Sequence, residues 1–164
     1  MKMMIALVVF AAVVFTSAGN AGTSYTWVGA SGNFEDFANW DPATGYPSSV
    51  DDTAIITNHA VSGSVNVVTV NNPLTIGRLE VGGGGAGKAK LVFKNGLSTN
   101  VVSGDVYVYS GATLTHTLNG GSTPNYKLNL RVGGHMSVEN GAYVNVDSLG
   151  YMVGPGSNVG GNGG

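Results

Sequence analysis

From about Asn58 onward the chain alternates apolar and polar residues in short runs: Val65 to Val70, Leu74 to Ile76, Leu79 to Val81, Val106 to Val108, Leu128 to Leu130 and Val144 to Val146. Glycine, asparagine and serine separate the runs. A period of two is the pattern of a β-strand, whose successive side chains point to opposite faces. No segment after the first twenty-odd residues carries the 3.6-residue period of an amphipathic helix, so an all-β chain with almost no helix is expected.

Some of these runs are copies of one another. Gly104 to His116 aligns with Gly134 to Val146 on the skeleton G-x-[VM]-x-V-x-x-G-A-x-[LV], at an offset of 30 residues, and Gly77-Arg-Leu79-Glu-Val81 repeats its start. Repeats of about 20–50 residues mark solenoids, propellers and arrays. The expected fold is a right-handed, single-stranded parallel β-helix, with glycine at corners where a Cβ would clash. In it Val106, Val108 and Leu114 face inward and stack on Met136, Val138 and Val144, with Leu79 and Val81 on the coil before. A β-sandwich is the alternative, but it gives no reason for the Gly-Ala corner to recur in register.

The N-terminus has a different character. Lys2 precedes an unbroken apolar run of eleven residues, Ile5 to Phe15, followed by small residues at Ser17, Ala18, Gly19 and Ala21. The run is short for a membrane span, which needs about 20 apolar residues. It suits the core of a cleavable secretory signal. The expected organisation is a signal at 1–21, an N-terminal cap at 22–58, solenoid coils at 59–153 and a glycine-rich flexible tail at 154–164. The mature chain would then be secreted or at the cell surface, without a membrane span.

Composition agrees with that picture. The 164 residues include 27 glycines, and only 10% are charged. The net charge of −2 includes Lys2; its removal leaves six basic residues against nine acidic ones. No basic stripe exists for a phosphate backbone, so nucleic acid is not an expected partner. There is no cysteine, hence neither disulfide nor thiolate chemistry.

Several motifs carry possible chemistry. Gly82 to Lys88 matches the spacing G-x-x-x-x-G-K of a phosphate loop, but Ala89 replaces the magnesium-binding hydroxyl and Lys90 to Phe93 reads as a strand instead of a helix. It is expected to be a corner, and no nucleotide or other cofactor is expected. Glu35, Asp36, Asp41, Asp51 and Asp52 could offer calcium ligands, though turn chemistry explains them as well. His59, His116 and His135 fall in different columns of the repeat, so no metal site is expected. Thr113, Thr115 and Thr117 read as a solvated strand face. The repeat region offers Glu80, Asp105, Glu139 and Asp147 as carboxylates, with no pairing that would mark a glycosidase or lyase, and no catalytic residue is assigned. Trp27, Phe34, Trp40 and Tyr46 form the one aromatic concentration. They would either close the first coil or stack against sugar rings.

The segment Tyr25-Thr-Trp27-Val-Gly29-Ala-Ser-Gly32-Asn-Phe34, then Asn39-Trp40, Pro47 and Asp52-Thr-Ala54-Ile-Ile56, resembles the opening of bacterial β-helical surface proteins. These include proteins with autotransporter-associated β-strand repeats. Phe34 stands where the pattern usually has a second tryptophan. The resemblance implies an N-terminal cap leading into an exported solenoid, and it implies no reaction. The resulting expectation is a non-catalytic structural or adhesive protein, the N-terminal part of a longer one, with surface glycans or other cell-surface proteins as partners. The alternative is a carbohydrate-binding module or a polysaccharide-degrading β-helix fragment.

Overall fold

A computed structural model describes residues 21–121 and 123–150. The expected tail at 154–164, and all of the expected signal except Ala21, lie outside the described residues. Fourteen strands follow one another: β1 (Ser24–Trp27), β2 (Gly32–Asn33), β3 (Trp40–Asp41), β4 (Thr53–Ile56), β5 (Val65–Val70), β6 (Thr75–Ile76) and β7 (Arg78–Val81). The second half comprises β8 (Lys88–Phe93), β9 (Asn100–Val102), β10 (Val106–Val108), β11 (Ala112–His116), β12 (Leu130–Val132), β13 (Met136–Val138) and β14 (Tyr143–Val144). Among the described residues the only helical element is a 3-10 turn, Phe37–Asn39.

The strands form three sheets that wrap a single core. The first face runs β13-β10-β7-β4-β1-β3, the second β14-β11-β8-β5-β2 and the third β12-β9-β6. From β4 onward the chain visits the faces in turn, so each of these strands lies beside its equivalent one coil away. Every pairing is parallel except that of β3 with β1. This is a β-solenoid. Such pairing excludes the β-sandwich alternative, which joins neighbouring strands antiparallel.

The repeat is visible as columns. Val106 pairs with Leu79 and Met136, and Val108 with Val81 and Val138, on the first face. Leu114 pairs with Leu91 and Val144 on the second. On the third face Ile76, Val102 and Val132 stand in one line. These columns meet inside, where Leu79, Val81, Leu91, Val102, Val106 and Leu114 are sealed from solvent.

Two kinds of corner recur with the repeat. Gly104 lies between the third and first faces, and its amide donates to Gly77 O at 2.8 Å while its carbonyl accepts from Gly134 N at 2.9 Å. A Cβ there would come within 2.7 Å of the Gly77 carbonyl, so the coils can approach only without a side chain. Gly111 lies between the first and second faces at φ 82°, as does Gly141 in the next copy, a left-handed conformation that glycine adopts without strain.

The strand limits depart from the sequence reading at Val144 to Val146, where β14 is Tyr143–Val144, and more clearly before it. Leu128 to Leu130 reads as a strand, whereas β12 occupies Leu130–Val132. The alternation continues through Val132, and pairing with Asn100–Val102 selects the later register.

Candidate functional site

The first coil is closed by aromatic residues. β3 folds back antiparallel on β1, placing Trp40 opposite Trp27. Trp40 then stands in the middle of the group, with ring centroids 5.1 Å from Trp27, 4.9 Å from Phe34 and 6.4 Å from Tyr25, all edge to face. Tyr46 meets Phe34 at 6.3 Å in the same way. Trp27, Phe34 and Trp40 are 3%, 1% and 1% exposed, and Trp40 Nε1 donates to Phe34 O at 2.7 Å. A sugar platform needs open, roughly coplanar ring faces, whereas these three are buried, with Trp27 and Phe34 each set steeply across the plane of Trp40. Their geometry is that of packed core, and Tyr25 and Tyr46 at its margin are half-buried.

The acidic residues around the cap serve turns. Asp52 Oδ1 accepts from Thr23 N at 3.0 Å, and its Oδ2 accepts from Ser48 N and Ser49 N at 3.0 and 2.9 Å. Glu35 Oε1 accepts from Asn71 N and Asn72 N, and Asp36 caps the 3-10 turn through Ala38 N. Among the described residues no three His, Asp or Glu side chains gather as a metal site. His116 is turned inward above Phe93, His135 is exposed, and His59 lies in the segment between β4 and β5. Thr115 corrects the expectation of a solvated threonine face, for it is only 4% exposed.

The sequence reading missed a polar ladder on the outside of the first face. Arg78 Nε donates to Glu80 Oε1 at 2.7 Å, and its guanidinium carbon lies 4.5 Å from the centre of the Tyr107 ring. Tyr107 and Tyr109 stack with centroids 6.1 Å apart and planes 13° apart. Tyr109 Oη donates to Glu80 Oε2, and Tyr107 Oη to Asp105 Oδ2, both at 3.1 Å. The hydrogen bond to Glu80 is also what holds the Arg78 proton more tightly than usual. Burial, with the Glu80 bond second, pushes the Tyr109 hydroxyl up. The amide of His135, then the Tyr107 hydroxyl, hold the Asp105 carboxyl below its ordinary range. The members bond to one another and to the His135 amide, so the ladder fastens three coils together.

Open pockets border these groups. One of about 220 Å³ lies between Phe34, Tyr46, Pro47 and Pro73, with Glu35 at its side. A second, of about 500 Å³, follows the glycine run from Gly83 to Gly87 and reaches Lys88, Tyr109 and Glu139. Lys88 there begins a strand, so the phosphate-loop spacing has no helix behind it. The third, of about 280 Å³, is lined by Trp27, Val28, Gly29, Ala30, residues 57–60 and Asn66. No helix of the described residues is long and apolar enough to cross a membrane. No protein-family model, curated protein or solved structure matches the chain.

Proposed function

We propose that the chain is the capped N-terminal part of an exported, non-catalytic β-solenoid with a structural or adhesive role at the cell surface. The observation that carries this reading is the difference between the two ends of the stack. At one end Trp27, Phe34 and Trp40 cover the first coil, and β3 shields the edge of β1. At the other, columns that are sealed at Val106, Val108 and Leu114 continue into Met136, Val138 and Val144, which are 43%, 45% and 46% exposed. An apolar ladder beside strand edges is a template for a further coil or another chain.

Other features support the role. The run Ile5 to Phe15 after Lys2 suits export, and the similarity of Tyr25 to Ile56 to β-helical surface proteins suits a place on the cell. Glu35, Asp36 and Asp52 are engaged by backbone amides, a structural use of carboxylates. Surface glycans or other cell-surface proteins are the fitting partners.

Two measurements test the proposal. Mass spectrometry of protein recovered outside the exporting cell should find a mature start near Gly19 or Gly22; an intact Met1 would end the export reading. In sedimentation velocity the purified chain should associate as its concentration rises. Val138→Lys combined with Val144→Lys should return it to monomer with unchanged β-structure by circular dichroism. A parent chain that stays monomeric and binds no hydrophobic dye would contradict the open end.

A further inference from the structure

The corner between the first and second faces, at the capped end, concentrates unpaired polar groups. Four buried side-chain atoms among the described residues lack a hydrogen-bond partner: Trp27 Nε1, Asn58 Oδ1, Asn66 Oδ1 and Asn95 Oδ1. The first three belong to residues that line the pocket of about 280 Å³, and Asn58 also borders the larger pocket beside Gly111. Their orientation is determined by the bonds they do make. Asn58 Nδ2 donates to Ser110 O at 3.2 Å and Asn66 Nδ2 to Thr57 O at 3.0 Å, which leaves each amide oxygen over. Trp27 has no counterpart of the carbonyl that Trp40 finds at Phe34. Buried polar groups are nearly always paired, so three orphans around one pocket require an explanation.

The chemistry of the orphans selects the guest. An indole N–H only donates and opposes a cation, whereas amide oxygens only accept and oppose an anion. No lysine, arginine or carboxylate lines the pocket, and the His59 Nδ1 already accepts from Val61 N at 3.0 Å. A neutral hydroxyl both donates and accepts, and several of them on one compact frame could answer all three atoms. The pocket is many times the roughly 30 Å³ share of a water molecule. It sits at the lower limit of small-molecule sites, about 300 Å³.

We propose that this corner binds a neutral polyhydroxyl ligand, one sugar residue, whose hydroxyls accept from Trp27 Nε1 and donate to Asn58 Oδ1 and Asn66 Oδ1. The three atoms are shielded from solvent, so binding displaces part of the strandless segment 57–64, whose Ala60 and Val61 are exposed. Recognition is by hydrogen bonds at a corner, with no ring face of Trp40 or Phe34 involved. It holds whether or not the stack continues beyond β14.

The chain has only two tryptophans, which gives the test its internal reference. The full chain, labelled with ¹⁵N at the indole nitrogens, is titrated with glucose, galactose, mannose and N-acetylglucosamine, and with a tetrasaccharide of the best of these. Sodium phosphate and calcium chloride serve as charged controls. The Trp27 indole resonance should shift and saturate with at least one sugar while that of Trp40 stays in place. Asn58→Ala should weaken that binding roughly tenfold, the scale of one lost hydrogen bond. Should Asn58→Ala fold poorly, Asn66→Ala removes another of the acceptors and should weaken binding to a similar extent. A tetrasaccharide that binds as well as its monomer identifies a glycan end as the ligand, and a preference for the monomer identifies a free sugar. The proposal is overturned if no sugar moves the Trp27 resonance, if only phosphate or calcium does, or if Asn58→Ala titrates like the parent. It also fails if Asn66→Ala folds and titrates like the parent.

Discussion

Trp40 shows how much a single side chain can carry in a small stack. It touches Trp27, Phe34 and Tyr25 edge to face and fills its one donor at Phe34 O. Trp40→Ala should therefore cost about 3–5 kcal/mol, a large part of the roughly 5–15 kcal/mol of an ordinary domain. Thermal melts would show it, and a melting temperature within a degree or two of the parent would refute the cap. The two corner glycines should respond differently to alanine. Gly111→Ala forces a left-handed backbone on a residue with a Cβ, at about 1–2 kcal/mol. Gly104 is not left-handed, but its replacement by alanine must push apart the coils whose backbones meet at that point, and should be the worse of the two in urea unfolding. Both glycines were legible beforehand as the invariant letters of the 30-residue repeat. The fate of Thr115 was not, because alternation says which side a residue faces and not what later covers that side.

Among the elements, β10 and its neighbours were the most readable. Aligning Gly77 with Gly104 already sets Arg78 level with Asp105 and Glu80 level with Tyr107, the outward positions of the ladder. The ladder is therefore written in the outward letters of the repeat, between the inward valines. The unpaired atoms at Asn58 and Asn66 were beyond reach, since they depend on which carbonyl each amide meets. The clamp between β10 and the next coil makes a pH prediction. Asp105 Oδ1 accepts from His135 N at 2.8 Å, and its carboxyl is held below the ordinary value of 3.8. Its contribution is complete above that value and is lost as pH falls through the depressed one. Amide exchange at Met136 to Val138 should therefore accelerate at acid pH before exchange at Leu79 to Val81 does. Asp105→Asn should remove that difference; an unchanged profile in the variant would show that the clamp is not responsible.

Across the whole molecule, stability is shared between neighbours, because each coil pairs only with the ones before and after it. Val108 is 1% exposed between Val81 and Val138. Val108→Asp places an unpaired charge there and should open the coils of β7, β10 and β13 while the cap around Trp40 keeps its near-ultraviolet signal. Loss of both together would mean that the stack melts as one unit. The cap also gives the stack a direction in time. Residues 22–56 complete the aromatic closure without help from β10 onward, so a chain threaded N-terminus first through a narrow exit could set its lid before its last coil has emerged. Each new coil would then be laid on a finished one and could not slide back, which makes folding itself a one-way ratchet. Nascent chains halted after Val102 should already protect Trp40 from quenching by acrylamide, and a quenchable Trp40 in such chains would show that the lid waits for the rest.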